Sequence, residues 1–173
     1  KNMTKLLMLL MLIAGFTSCS LFDIDVDTTM SADLEIDIED SAMKSAAAYP
    51  FESEAVIDPM DNDDMDEYAD KIERIKATGI IGTVEYVSKK DLVLYKGTMF
   101  TISNSKHIVT WTLEDEWPIE KGTVLELPDG GDNYDAVSKI LTSMDPFTVS
   151  CEGTASDKGV TITIRIDIET TIT

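Results

Sequence analysis

The 33 acidic residues, 14 Lys and Arg, one histidine and two cysteines hold all of this chain's ionisable chemistry apart from its tyrosines. Glu114, Asp115 and Glu116 stand between Trp111 and Trp117. Two carboxylates facing one cleft at a set separation can hydrolyse a glycosidic bond, and a loop aromatic can stack on a sugar ring. The group is therefore a candidate glycan site, with Trp117 as platform and Glu114, Asp115 and Glu116 as polar contacts. Trp111 alternates with Val109 and Leu113 and reads as core. Trp117, beside Pro118, reads as a solvent-facing loop residue, or else as a lid over one end of the core. An exposed loop explains the three acids equally well.

A second acidic group, Asp58, Asp61, Asp63, Asp64, Asp66, Glu67 and Asp70, raises the question of calcium, which takes six to eight hard oxygen ligands. Asp61, Asp63 and Asp64 are the candidate ligands. The spacing does not follow a calcium-binding loop. Counted from Asp61, the sixth position is Asp66 where a glycine is needed, and the twelfth is Ile72 where a bidentate Glu is needed. Acids in a first helical turn are also favoured by the helix dipole without any metal. His107, as the single histidine, excludes multi-histidine metal sites. Any Ser-His-Asp scheme would rest on it alone. It sits at the end of a strand pattern with no nucleophile elbow nearby, so an exposed strand-end residue is expected. Cys151 alternates with Phe147 and Val149 and should be a buried thiol behaving as a small hydrophobe. No phosphate-binding glycine loop occurs, and no cofactor is implied.

The elements that must position these residues are mostly strands. Leu34, Ile36 and Ile38 alternate with acids. Val160, Ile162, Ile164, Ile166 and Ile168 alternate with polar residues over the longest period-2 run in the chain. Further runs at 51–57, 79–87, 91–103, 107–113, 122–127 and 147–152 are separated by turn residues. The pattern predicts a mainly β fold, an antiparallel β-sandwich of about seven or eight strands with two short helices. The first helix starts at Asn62/Asp63, with Met65, Tyr68, Ile72 and Ile75 as its apolar stripe. Gly79 is its expected stop, and Glu67–Lys71 and Asp70–Arg74 are its outer ion pairs. The second helix starts near Asp132, carries Tyr134, Val137, Ile140, Leu141 and Met144 inward, and ends at Asp145-Pro146. Both are expected to cover an end or open edge of the sandwich. The segment 41–48 reads as either a loop or one helical turn.

The start of the chain has a separate logic. Lys1 and Lys5 precede the apolar run Leu6 to Ala14, which is too short to cross a bilayer comfortably and has the form of a secretory signal. Phe16-Thr17-Ser18-Cys19 resembles the lipobox of bacterial lipoproteins, in which an apolar residue and two small residues precede the cysteine that is acylated. The resemblance implies a signal peptide over 1–18, lipidation at Cys19, and a tether or first strand over 19–31. A single β-rich domain over 32–173 would follow. Ser20 stands where an aspartate would favour the inner membrane in Gram-negative lipoproteins, which implies the outer membrane. Asp23, Asp25 and Asp27 resemble acidic surface-export tags, or form the wet face of a first strand. The order of the mature chain is similar to that of β-rich outer-membrane lipoproteins of gut Gram-negative anaerobes.

The net charge of -19 repels phosphate backbones, and no cluster of Lys and Arg is visible along the sequence. Nucleic acid is not an expected partner. The expected function is a non-enzymatic binding or structural module in the cell envelope, held to the membrane through Cys19, with a glycan or a protein as partner. The alternative from another class is a carboxylate-dependent glycan hydrolase. Carriage of an apolar ligand between the sheets is a third reading.

Overall fold

A computed structural model describes residues 25–40 and 48–173. The signal segment, Cys19, Asp23 and nearly all of the undecided 41–48 stretch lie outside the described residues. Ten strands form two antiparallel sheets in a sandwich-like arrangement. They are β1 (Val26–Ile38), β2 (Tyr49–Ile57), β3 (Ile75–Val87), β4 (Leu92–Leu94), β5 (Met99–Ser103), β6 (Ile108–Thr112), β7 (Trp117–Ile119), β8 (Val124–Glu126), β9 (Phe147–Ala155) and β10 (Val160–Ile172). The helices are α1 (Asp63–Tyr68) and α2 (Asn133–Thr142). The mainly β sandwich expected from the alternation is thus present, with ten strands where seven or eight were counted. The run at 91–103 divides into β4 and β5 around a turn, and the short β7 gave too few residues to show a period.

The first sheet has the order β1-β10-β3-β8, with β10 paired on both sides. Its β-branched residues suit a pleated surface, and Val160, Ile162, Ile164, Ile166 and Ile168 all face the core. β1 runs the full length of β10, from Val26 opposite Ile172 to Ile38 opposite Val160. Residues 26–31 thus form part of this first strand. In the second sheet β9 has β2 along one edge, and β5 and β4 in succession along the other. Pro50 and Pro118 fit because β2 and β7 are edge strands, each laddered to one neighbour only. Ser53 donates to the Glu35 carbonyl at 2.7 Å, stitching the two sheets together where β2 passes β1. Phe100, Phe147, Leu34, Ile36, Ile80 and Ile102, all fully buried, fill the space between the sheets.

The first helix is shorter than its periodicity predicts. Asn62 caps it, accepting from the Asp64 and Met65 amides at 3.0 and 3.2 Å, and Met65 anchors it in the core. It ends at Tyr68. Ile75 is already strand, and Gly79 lies inside β3 opposite Glu169, whose side chain occupies the space a Cβ would take. The pairs Glu67–Lys71 and Asp70–Arg74 have no helix to bring them together. Such pairs are worth only a few tenths of a kcal/mol each, and the competing β3–β10 ladder covers eleven residue pairs. Two register shifts, between Thr163 and Ile164 and between Glu169 and Thr170, insert extra residues in β3. They keep Ile75, Ala77, Ile80 and Val84 all inward and break the simple alternation that would have announced a strand.

The second helix behaves as expected, burying Val137, Ser138, Ile140 and Leu141. It also covers an open edge. β8 pairs with β3 only at residues 81–83, which leaves the start of β3 without a strand on the side away from β10. There Ser138 Oγ accepts from the Ala77 amide at 2.9 Å and Thr142 Oγ1 from the Ile75 amide at 3.2 Å. Helix hydroxyls thus satisfy strand donors that would otherwise be buried unpaired.

Ile164 is fully buried, whereas Thr163 lies on the opposite face of β10 and is partly exposed. Ile164→Ala is expected to cost about 2–5 kcal/mol through the cavity it leaves. Thr163→Ala should cost within about 1 kcal/mol. Urea titration of the two variants checks this, and equal small losses would contradict the central position of β10.

Candidate functional site

The structure separates the residues that the sequence grouped as a glycan site. Trp117 sits in β7, only 6% exposed, with its ring edge-on to Phe100 at 6.1 Å between centroids. It is a lid over the core and offers no stacking platform, because the alternation of β7 turns Trp117 and Ile119 inward and Pro118 outward. No acceptor among the described residues reaches its indole N–H. Glu114, Asp115 and Glu116 are exposed in the loop from β6 to β7, as the loop reading expects. Trp111 is core, with its indole N–H donating to the Pro128 carbonyl at 2.8 Å.

The acids near residue 60 serve the backbone. Asp58 caps the turn at Pro59–Asp61, accepting from the Met60 amide. Asp63 and Asp64 lie in the first turn of α1, and Asp64 accepts from Thr28 Oγ1 at 2.7 Å. Among the described residues no three His, Cys, Asp or Glu side chains converge in a way that could hold a metal ion, so Asp61, Asp63 and Asp64 do not form the calcium constellation weighed from sequence. Cys151 is fully buried on β9 between Phe147, Val149 and Phe100, its neighbour across the ladder. Burial pushes its thiol pKa far up, with the nearby Glu152 adding to the effect.

His107 is exposed at the start of β6, as expected, but its surroundings could not be read from the sequence. It lines an open groove of about 540 Å³ with Arg74, Lys106, Lys139, Asp135 and Thr142. Three separate segments build that groove: the start of β3, the β5–β6 turn and one face of α2. Each is fixed by hydrogen bonds close to its cation. The Arg74 amide donates to the Thr173 carbonyl at 3.0 Å and the Arg74 carbonyl accepts from the Thr173 amide at 2.9 Å. Asn104 Oδ1 accepts from the Lys106 and His107 amides, both at 2.9 Å, and its Nδ2 donates to Ser143 at the end of α2. The Lys106 ammonium stands 3.9 Å from Asp145, a loose pair. Among the described residues Arg74 and Lys139 make no ion pair.

This convergence corrects the impression that the chain has no basic cluster. The three cations are 32 or more positions apart in pairs of elements that only the fold brings together, and no local spacing signals them. By contrast, Lys89 and Lys158 at the far end of β10 are matched by Asp157 and Asp40 at 3.2 and 2.7 Å. Hydrogen bonding from Lys158 holds the Asp40 carboxyl below its usual pKa.

No family model and no curated protein matches this chain. Among solved structures it is similar to the decameric BFDV capsid protein, with a TM-score of 0.45 and 10% identity, over 87% of this chain and 99% of that one. No functional conclusion rests on that likeness.

The buried thiol gives a direct check on the packing. In a Cys19→Ala background, Cys151 should resist a thiol reagent in the native protein and react promptly in denaturant; fast native labelling would contradict its burial. The neutral thiol also links stability to pH. Because the folded pKa is raised, its contribution is complete below the ordinary thiol value of about 8.5 and falls as pH rises above it, where only the unfolded chain ionises.

Proposed function

We propose that this chain is an outer-membrane-anchored bacterial lipoprotein whose β-sandwich is a non-enzymatic binding or structural module. The observation that carries the reading is Phe16-Thr17-Ser18-Cys19, placed just ahead of a β-rich domain that starts at Val26. Six residues separate Cys19 from Val26, so the first strand begins at most roughly 25 Å along the chain from the acylated residue. A tether of that reach holds the domain against the membrane surface. No helix among the described residues is long and apolar enough to cross a membrane. Attachment through acyl chains, each buried methylene contributing about 0.8 kcal/mol, meets the need.

The distribution of reactive groups supports a binding role over catalysis. His107 is exposed, Cys151 is sealed in the core, and the loop acids Glu114 to Glu116 lack the stacking surface that Trp117 would have supplied. The same burial of Trp117 removes the feature that favoured a glycan hydrolase at that loop. The groove beside His107 brings side chains from three segments together with cationic charge left unpaired, and it is the ligand site we assign to the module.

Cys19→Ala is expected to abolish incorporation of a fatty-acid probe and to leave an unprocessed or soluble chain. Metabolic labelling followed by membrane fractionation reads both. Undiminished lipid labelling of the variant would overturn the lipoprotein reading.

A further inference from the structure

We propose that the groove between α2, the start of β3 and the β5–β6 turn binds a small oxyanion, a phosphate or carboxylate group carried by a sugar-sized molecule. The inference deepens the binding-module reading by naming the ligand chemistry, and it does not depend on the lipid anchor. It rests on charge placed against the grain of the molecule. In a chain of net charge -19, Arg74, Lys106 and Lys139 line one concavity with Asp135 as the only carboxylate in its wall. Gathering like charges in one hollow is unfavourable unless an opposite charge is brought in. Asp135 in the wall and Asp145, 3.9 Å from Lys106, offset only part of it, and Arg74 and Lys139 make no ion pair among the described residues.

The structural roles open to these cations are already filled by other groups. Lysine near a helix C-terminus can satisfy the last carbonyls. In α2 two of those carbonyls are met locally: the Ile140 carbonyl accepts from Ser143 Oγ at 2.7 Å and the Leu141 carbonyl from the Met144 amide at 3.0 Å. The Lys139 side chain makes no hydrogen bond to them among the described residues. Arg74 could be held by an acid of its own strand neighbourhood, yet only its backbone is engaged, by Thr173. The backbone anchoring of all three segments means that little ordering is left to be done when an anion arrives. A guanidinium can grip an oxyanion with two parallel N–H donors, and the two ammonium groups add point charges. The groove volume of about 540 Å³ falls within the usual range for small-molecule sites.

The sole histidine makes the test specific, since the His107 ring signals in a proton NMR spectrum report on the groove and nowhere else. The full chain in detergent is titrated at constant ionic strength with inorganic phosphate, glucose 6-phosphate, digalacturonate and, as the neutral control, glucose. Saturable movement of the His107 signals with phosphate and glucose 6-phosphate would assign a phosphorylated ligand, and movement with digalacturonate a carboxylated one; glucose should move nothing. In a chain carrying R74E and K139E the affinity should fall by on the order of tenfold or more, while K121E, a charge reversal in the turn between β7 and β8, should leave it unchanged. Circular dichroism confirms that the exposed substitutions leave the fold intact. No saturable shift with any of the three anions, or shifts equal in the double variant and the parent, would overturn the proposal. Neither result would bear on lipidation at Cys19.

Discussion

The molecule depends on the ladder that β10 makes with β1 on one side and β3 on the other. Every second residue of β10 from Val160 to Ile172 is buried, and each from Ile162 onward has another strand on both flanks. Since β1 is the first and β10 the last strand among the described residues, this ladder joins residues as far apart as Val26 and Ile172. Contacts of such separation carry a large loop-closure cost, which points to slow folding compared with a helical domain of the same length. The second sheet and both helices are arranged around this ladder: Ser53 ties β2 to β1, and α2 covers the exposed start of β3.

The same ladder reaches the candidate site. Thr173, immediately beyond β10, exchanges hydrogen bonds with the backbone of Arg74 and so sets the backbone position of the first cation in the groove. Asn104 does the corresponding work in the β5–β6 turn, joining it to the end of α2. Charge elsewhere follows a simpler rule. The acids of β1, Asp27, Asp33, Glu35 and Asp37, all lie on the outer face opposite the buried Met30 to Ile38 series. Asp25 and Asp27 are exposed at the start of that strand, as the wet-face reading of the early acids expects.

How much could be read in advance varied with the range of the interactions involved. β1 and β10 were legible because each has one dry face and one wet face over many residues, and nothing interrupts the period. Helix α2 was legible for the corresponding reason at helical spacing, and Cys151 was read correctly from its place in the alternation of β9. The start of β3 was misread because Ile72 and Ile75 fall at a spacing that imitates a helix, the bulge at Thr78 interrupts the strand period, and the deciding partner, β10, lies some ninety residues further on. Trp117 was left between a solvent-facing loop residue and a lid over the core, because a three-residue strand beside a proline gives no periodicity to decide between them; it is the lid. The groove left no local signal at all. Its cations are assembled from three segments; His107 was read only as a strand-end residue, and Arg74 only as a helix partner of Asp70.

Amide hydrogen exchange on the intact protein tests most directly whether the β1–β10–β3 ladder holds the fold together. The slowest exchange is expected at the inward residues of β10, Ile164 and Ile166 above all, together with their partners in β1 and β3, at rates set by global unfolding, while the amides of the short strands β7 and β8 exchange faster through local opening. Exchange in β10 as fast as in β7 and β8, or faster than in β9, would contradict the account.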